Sequence, residues 1–221
     1  RMMGTFNKKY FSYGEKEINY LKSRDSRLAE VIERYGYIRR ELIPDLFTAL
    51  IFSIIGQQIS PKAADTIMAK LTSLLGEVTP ALVAGADTER LRSCGISERK
   101  AGYIKQVAGA VFEGKINLGS LKGLSDEEVV QELVKLPGIG RWTAEMLLIF
   151  SMGRMDVVSF GDLGIRRGMM KVYDLNGLTR EQFEFYRKRY SPYGTVASLY
   201  LWEAAKDCER DGKNQDDSQL A

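Results

Sequence analysis

The chain has 221 residues, 44% of them apolar, which is enough for one large domain or two interlocked lobes around a real core. It contains no histidine and two cysteines, so Ser-His-Asp and Cys-His nucleophile systems and four-cysteine zinc or iron–sulfur sites are excluded, and any catalysis must rest on carboxylates. The formal net charge of +3 is too small to identify a nucleic-acid partner on its own.

Apolar residues recur at helical spacing along most of the chain. The clearest runs are Phe47–Ile55, Ala64–Leu71 and Ile104–Val111. Alternating strand patterns are nearly absent, and the only extended segment that we predict is Val157–Phe160. We therefore predict a compact all-α protein of about nine or ten short helices.

Polar residues that favour helix ends punctuate this pattern. The predicted N-terminal caps are Ser60, Asp87, Ser97, Ser125 in a capping box with Glu128, Thr179 in a capping box with Gln182, and Ser191. Glycine adopts the left-handed conformation that often ends a helix, so we predict helix ends at Gly76, Gly95 and Gly177.

Composition changes along the chain indicate two lobes. We predict a central helical domain over residues 46–158, where the helical pattern is densest, and a second helical lobe from residues 1–45 and 159–208. The polar segment 209–221 is predicted to be a disordered tail. A cleft between the two lobes is where we expect a functional site.

Cellular location follows from cysteine use and from the apolar segments. Cys94 and Cys208 lie far apart in sequence, which argues against a secreted disulfide framework. Residues 1–6 carry no apolar targeting core, and the longest apolar stretch, Phe47–Ile55, is too short to cross a membrane. We therefore expect an intracellular protein without a membrane partner, in the cytoplasm or nucleoid of a bacterium or in the nucleus of a eukaryote.

Residues 133–150 hold the strongest motif, Leu-Pro-Gly-Ile-Gly between two helical segments. Gly138 and Gly140 flank Ile139 and let the backbone turn tightly, which leaves N–H groups uncovered at the start of the following helix. Such a helix N-terminus binds phosphate. An ordinary corner between two helices is the alternative, and Arg141 directly after the hairpin favours phosphate.

Asp162 is the candidate catalytic carboxylate. It precedes a predicted helix in Ser-Phe-Gly-Asp-Leu-Gly-Ile-Arg-Arg-Gly, so a structural role as the N-terminal cap of that helix is the simpler interpretation. The two roles are compatible, because a helix N-terminus favours an ionised carboxylate that can stand beside developing positive charge. Arg166, one turn further along, faces either phosphate or solvent.

Two further features allow a functional and an ordinary interpretation. Residues 56–62, Gly-Gln-Gln-Ile-Ser-Pro-Lys, are either a well-capped loop or a surface in which Gln58 fills the gap left by a nucleotide that leaves the stack. Trp142 and Trp202 are either core residues or walls of an aromatic pocket for a flat base.

Four motifs, in this order, resemble the helix-hairpin-helix superfamily of DNA base-excision glycosylases, and within it the 3-methyladenine DNA glycosylase II branch. They are Ile-Ile-Gly-Gln-Gln-Ile-Ser, Leu-Pro-Gly-Ile-Gly-Arg-Trp-Thr-Ala, Gly-Asp-Leu-Gly-Ile-Arg-Arg-Gly and Ser-Pro-Tyr-Gly-Thr-Val-Ala-Ser-Leu-Tyr-Leu-Trp. The likeness runs from Phe47 to Ala205. It implies an all-α, two-lobed helix-hairpin-helix fold with a cleft between the lobes and no iron–sulfur cluster.

The resemblance also implies roles for individual residues. Asp162 matches the essential catalytic aspartate, Trp142 and Trp202 match aromatic walls of the base pocket, and Met146 stands where some relatives place a pocket tyrosine. Relatives that also cut the strand carry a Schiff-base lysine at the position of Trp142, so the resemblance implies a monofunctional enzyme. The residues predicted to contact DNA are Gly138, Ile139, Gly140, Arg141, Thr143, Gln58, Ser60, Lys62 and Arg166.

We therefore predict a base-excision repair enzyme that turns alkylated purines such as 3-methyladenine or 7-methylguanine out of duplex DNA and hydrolyses their N-glycosidic bond, leaving an abasic site. A glycosylase for oxidised or deaminated bases is the nearest alternative, and a non-catalytic helix-hairpin-helix DNA-binding module is a further one. We predict a monomer with no organic cofactor and no metal ligands. An alkali ion held by hairpin carbonyls is compatible with the motif.

Overall fold

The computed structural model describes the backbone of residues 8–218 and the side chains as far as Asp207. This part of the chain forms twelve α-helices, one short 3-10 helix and a sheet of two short strands, β1 (Lys9–Tyr10) and β2 (Glu41–Leu42). The all-α prediction is confirmed. None of the helices within residues 8–218 is long and apolar enough to cross a membrane.

The helices follow one another with short connections. In chain order they are α1 (Glu15–Arg24), α2 (Ser26–Tyr35), α3 (Leu46–Ile55), α4 (Pro61–Leu75), α5 (Pro80–Gly85), α6 (Thr88–Ser93), α7 (Glu98–Phe112), the 3-10 helix (Leu118–Gly123), α8 (Asp126–Leu133), α9 (Arg141–Phe150), α10 (Leu163–Val172), α11 (Arg180–Tyr190) and α12 (Gly194–Ser218).

The chain divides into two compact units. The central unit is Leu42–Met152 and contains α3 to α9, and the terminal unit combines the chain on both sides of it. In the central unit α3 is buried on most of its surface, and it packs against α4, α7 and α9. In the terminal unit α12 packs closely on α10 and also contacts α2. Each unit therefore has its own apolar core.

The central unit begins at Leu42 and ends at Met152, whereas the predicted boundaries of the central domain lie at 45/46 and 158/159. The N–H of Val157 donates to Thr195 Oγ1 at 2.9 Å, and its carbonyl accepts the Ser198 hydroxyl at 2.8 Å. Both partners lie on α12, so this segment belongs to the terminal unit. The extended segment predicted over Val157–Phe160 forms no strand: residues 157–159 lie in neither a helix nor a strand, and side chains of α12 bind the backbone of Val157.

Most of the predicted helix starts are confirmed. The side chains that accept a backbone N–H as N-terminal caps include Ser60, Asp87, Ser97, Ser125 and Thr179. The prediction at Ser191 is wrong, since this residue follows α11, and its hydroxyl donates to the carboxylate of Asp156. Gly76 ends α4 as predicted, whereas Gly177 lies between α10 and α11 and ends neither.

The C-terminal segment also departs from its prediction. The predicted disordered tail, residues 209–221, continues the backbone of α12 as far as Ser218. A helix that tertiary packing has already nucleated gains one backbone hydrogen bond for each added residue, so a polar sequence can extend it. The side chains of this segment, and residues 219–221 altogether, lie outside the described part of the chain.

Candidate functional site

The glycine hairpin joins α8 to α9 in the central unit. Gly138 has φ +79°, a left-handed conformation that favours glycine, and a Cβ built on it would come within 2.8 Å of Tyr103 Cδ2. Ile139 is buried at 5% exposure, so the hairpin is anchored in the core by its middle residue. The turn is therefore tight, as its sequence predicts.

The helix after the hairpin begins without a side-chain cap. Gly140 occupies the N-cap position of α9 with extended backbone and has no side chain to accept an N–H, unlike Ser125 at the start of α8. The first turn of α9 also carries no acidic residue. Such a start has the uncapped dipole end that suits an anion.

A clamp within the central unit connects this hairpin to the polar loop between α3 and α4. The amide Nε2 of Gln57 donates to the carbonyl oxygen of Gly138 at 2.8 Å. The Lys100 ammonium donates to the carbonyl oxygens of Ile55 and Gln57, at 2.8 and 2.6 Å. Burial lowers the pKa of Lys100. These three bonds hold the loop and the hairpin in one arrangement.

The clamped loop presents Gln58 to solvent. Gln58 is exposed and has φ +57°, a left-handed conformation that is uncommon and mildly strained for a residue with a side chain. Ser60 caps α4 by accepting the N–H of Ala63, and Lys62 is exposed on the first turn of that helix. The predicted DNA contacts Gln58, Ser60 and Lys62 thus lie together at one end of α4.

Arg141 has partners within the protein. Its guanidinium makes two parallel hydrogen bonds to Glu127, at 3.0 and 2.7 Å, and a third to Glu145 at 3.1 Å. The bond to Arg141 lowers the pKa of Glu127 to about 2, with a further contribution from Gln131. Binding of Arg141 to an external phosphate would compete with these two carboxylates.

Three more predicted site residues lie on α9. Trp142 is half-exposed, whereas Thr143 and Met146 are partly buried. Trp142 and Met146 are one turn apart and share a face of the helix. Their assignment to a base pocket stays a prediction.

Asp162 caps α10 in the terminal unit. Its Oδ1 accepts the N–H of Ile165 at 2.8 Å, so its predicted role as an N-terminal cap is confirmed. The same oxygen accepts the indole N–H of Trp202 at 2.9 Å. Asp162 is 8% exposed. Both bonds orient a carboxylate that is nearly, but not fully, withdrawn from solvent.

Arg166 lies one turn after Asp162 on α10. Its guanidinium carbon lies 4.9 Å from the centre of the Phe160 ring, and that of Arg180 lies 4.6 Å from the same centre. The Nε atom of Arg166 is buried without a hydrogen-bond partner in the structure. The predicted phosphate contact of Arg166 stays a prediction, and stacking on Phe160 restricts its side chain.

Sequence reasoning identified Asp162 and Trp202 separately, and the structure brings them into direct contact. It missed Gln57 and Lys100, whose bonds clamp the loop to the hairpin. The signal available for Gln57 was a polar side chain between two apolar helices, which indicates a loop but not the hairpin carbonyl that it binds. No residues among those described form a group of metal-ligating side chains, and the alkali ion stays a prediction.

These features define a mostly helical protein whose central unit carries a helix-hairpin-helix element and whose terminal unit carries an aspartate that caps α10. The family model for the HhH-GPD superfamily of base excision DNA repair proteins matches residues 51–192. The chain therefore belongs to the HhH-GPD superfamily.

Individual relatives agree with this membership. The chain is similar to DNA-3-methyladenine glycosylase 1 of Schizosaccharomyces pombe, with 34% identity over 185 residues, 81% of each chain. It is also similar to the solved structure of DNA-3-methyladenine glycosidase from Bacillus halodurans, with a TM-score of 0.80 and 38% identity, covering 89% of this chain and 92% of that one. The solved structure of the 3-methyladenine DNA glycosylase of S. pombe in complex with abasic DNA matches with a TM-score of 0.75 and 32% identity. The match covers 87% of this chain and 97% of that one. The resemblance predicted from the motifs is confirmed.

Proposed function

We propose that the protein is a monofunctional DNA glycosylase of base-excision repair that removes alkylated purines from duplex DNA. Its relatives in S. pombe and B. halodurans carry the names of 3-methyladenine glycosylases. The observation that supports the chemistry is Asp162 at the start of α10, oriented by the indole N–H of Trp202. We infer that its partner is duplex DNA, that it acts as a monomer, and that it works in an intracellular compartment that holds DNA.

The reaction is hydrolysis of the bond between C1′ and the base nitrogen. In the proposed step this bond breaks, and its electron pair goes to the departing purine, whose positive charge is thereby neutralised. A water oxygen forms the new bond to C1′ and releases a proton to solvent. Asp162 stabilises the positive charge that develops on the sugar and orients the water. A cationic purine leaves without protonation, which suits a protein that has no histidine.

DNA binding is assigned to the central unit. The uncapped start of α9 after Gly140 offers backbone N–H groups and a positive dipole end to a phosphate. The exposed Gln58, on its clamped loop, is proposed to fill the space left in the stack when the damaged nucleotide is turned out. Trp142, Met146 and Trp202 are proposed to contact the extruded base, and aromatic contact with a cationic ring contributes about 0.5–2 kcal/mol for each indole.

The alternative is a glycosylase for oxidised or deaminated bases. Such a base is neutral, so it is a poorer leaving group and benefits from protonation by a general acid. Absence of histidine from the whole chain favours the cationic substrate instead. A non-catalytic DNA-binding module would need the hairpin but not a carboxylate oriented by an indole.

The test is Asp162→Asn, which keeps the size of the side chain and the oxygen that accepts from Ile165 and Trp202 but removes the charge. We expect base release from alkylated duplex DNA to fall by about 100-fold or more, because electrostatic stabilisation of the transition state is lost. We expect affinity for the same duplex to be retained. Release that stays at the wild-type rate would remove Asp162 from the mechanism.

The matched control is Asp87→Asn, because Asp87 is also an N-terminal cap, on α6. This variant should release base at the wild-type rate. Duplexes that contain alkylated, oxidised, uracil or hypoxanthine bases distinguish the substrate classes. The product strand should stay intact until alkali is added, and preferential release of an oxidised or deaminated base would support the alternative.

A further inference from the structure

The face of α10 that packs on α12 carries two glycines, Gly164 and Gly168, one helical turn apart. A Cβ built on Gly168 would lie 1.9 Å from the carbonyl oxygen of Leu201 and 2.6 Å from its carbonyl carbon. No side chain fits there, so the backbones of the two helices touch. This contact fixes how closely α12, which carries Trp202, lies against α10.

Gly164 lies at the same contact, directly beside Asp162 and Trp202. A Cβ built on it would lie 2.8 Å from Cδ1 and 3.2 Å from Nε1 of Trp202, and 3.2 Å from Oδ1 of Asp162. A methyl group would therefore occupy the space of the indole edge that donates to Asp162. Because Cδ1 and Nε1 belong to one rigid ring, the indole could not make room for the methyl without shifting the nitrogen that donates to Asp162.

Backbone conformation does not require glycine at this position. Gly164 does not have the left-handed φ that Gly138 has, and it lies in the first turn of a regular helix, where alanine is favoured over glycine. The space next to Trp202 is therefore the physical reason for glycine. Glycine at this position therefore affects the geometry of Asp162 and Trp202 and is not needed for α10 to form a helix.

We infer that Gly164 is a positioning residue: its missing side chain lets the Trp202 indole donate to Oδ1 of Asp162 and so sets the orientation of the carboxylate for base release. The inference rests on the proposed function. The N–H of Ile165 and the indole N–H together hold Oδ1 from two directions. Loss of the indole bond removes one of these two donors and with it one constraint on the orientation of the carboxylate.

The experiment compares Gly164→Ala with Gly109→Ala. Gly109 lies inside α7, and a Cβ built on it meets no atom within 4 Å, so this control gains the same helix-favouring methyl without a contact. We expect kcat for release of an alkylated purine to fall about 10- to 100-fold in Gly164→Ala, as for a reacting group displaced by a fraction of an ångström. DNA affinity should be unchanged in both variants, and Gly109→Ala should keep the wild-type kcat.

A spectroscopic measurement reports the hydrogen bond itself. The chain has two tryptophans, so the indole N–H region of a nitrogen-correlated NMR spectrum contains two signals. The Trp202 signal is assigned as the one lost in Trp202→Phe. We expect it to shift in Gly164→Ala and to stay in place in Gly109→Ala. An unmoved signal, or a wild-type kcat with a shifted signal, would overturn the inference.

A double variant separates positioning from general damage. Trp202→Ala removes the whole indole, including the Cδ1 and Nε1 atoms that the methyl would meet, so Gly164→Ala should cause little further loss of kcat in the Trp202→Ala background. An equal loss in both backgrounds would overturn the inference, and the double variant also relieves the contact if Gly164→Ala alone fails to fold.

If the wild-type protein releases no alkylated base, the proposed function is contradicted, and the indole signal still decides whether Gly164 sets the hydrogen bond.

Discussion

Adjacent glutamines in the polar loop have different roles. The side chain of Gln57 binds the hairpin carbonyl of Gly138, whereas Gln58 is exposed. Both look alike in the sequence, since each is a polar residue in a break between apolar helices. The left-handed backbone of Gln58 directly follows Gln57, whose side-chain amide donates to the carbonyl of Gly138 and whose own carbonyl accepts from Lys100. Strain at a site of proposed contact persists because its surroundings hold it.

Lys100 provides the residue-scale prediction. We expect Lys100→Met to lower the free energy of unfolding by about 1–3 kcal/mol, because two carbonyl oxygens lose a charged donor while the apolar stem of the side chain is kept. Urea denaturation measures this change. Lys70→Met, at an exposed position of α4, is the control and should change stability little. An equal effect of the two variants would show that the clamp contributes nothing specific.

At the scale of elements, the helices differ in whether a side chain caps their first turn. Most helices begin with a serine, threonine or aspartate that accepts a backbone N–H, whereas α9 begins at Gly140 without such a side chain. The capped starts were recognisable because a cap and its N–H lie within one turn of each other. Because glycine has no side chain to accept an N–H, the sequence also indicates that the first turn of α9 is uncapped and is a candidate site for an anion.

This uncapped start gives the element-scale prediction. A Cβ built on Gly140 meets no atom within 4 Å and its backbone is extended, so Gly140→Asp and Gly140→Ser are both expected to cap α9 and to raise the free energy of unfolding by about a few tenths of a kcal/mol. Only the aspartate places a negative charge where a phosphate is proposed to bind.

We therefore expect Gly140→Asp to raise the Kd for duplex DNA by about three- to tenfold relative to Gly140→Ser, from the loss of a favourable dipole and charge interaction. Binding titrations at fixed salt concentration measure it. Equal affinities of the two variants would mean that the start of α9 does not contact a phosphate.

At the scale of the whole molecule, we expect the ionisation of buried and partly buried tyrosines to limit stability at alkaline pH. Burial raises the pKa of Tyr35 to about 12, and its hydroxyl also donates to the carboxylate of Asp207. Burial likewise raises the pKa of Tyr173, Tyr190 and Tyr200 above the usual tyrosine range. Above pH 10 the unfolded chain therefore releases tyrosine protons that the native protein keeps.

Because the unfolded state then binds fewer protons, the free energy of unfolding should fall as the pH rises. The tyrosine contribution is complete below about pH 10, and for Tyr35 it is lost as the pH rises through about 12. Urea denaturation at a series of pH values measures the slope. Tyr200→Phe should make the loss less steep, whereas Tyr37→Phe, at a tyrosine that is 61% exposed, should not. A constant free energy of unfolding across this range would contradict the prediction.

The sequence by itself determined what depends on neighbours in the chain. Helical periodicity, the caps, the glycine hairpin and the capping role of Asp162 all arise within one or two helical turns, where residue spacing dictates contact. The order of the four motifs then identified the family.

Only the tertiary structure decided which distant side chains meet. Gln57 and Gly138 are 81 residues apart, and Asp162 and Trp202 are 40 apart. Pairing at such separations depends on how the helices pack, and the packing of α10 on α12 depends on the absence of a methyl group at Gly164 and Gly168. Periodicity along one helix carries no information about that contact, because it describes which face is apolar and not which residue of another helix lies against it.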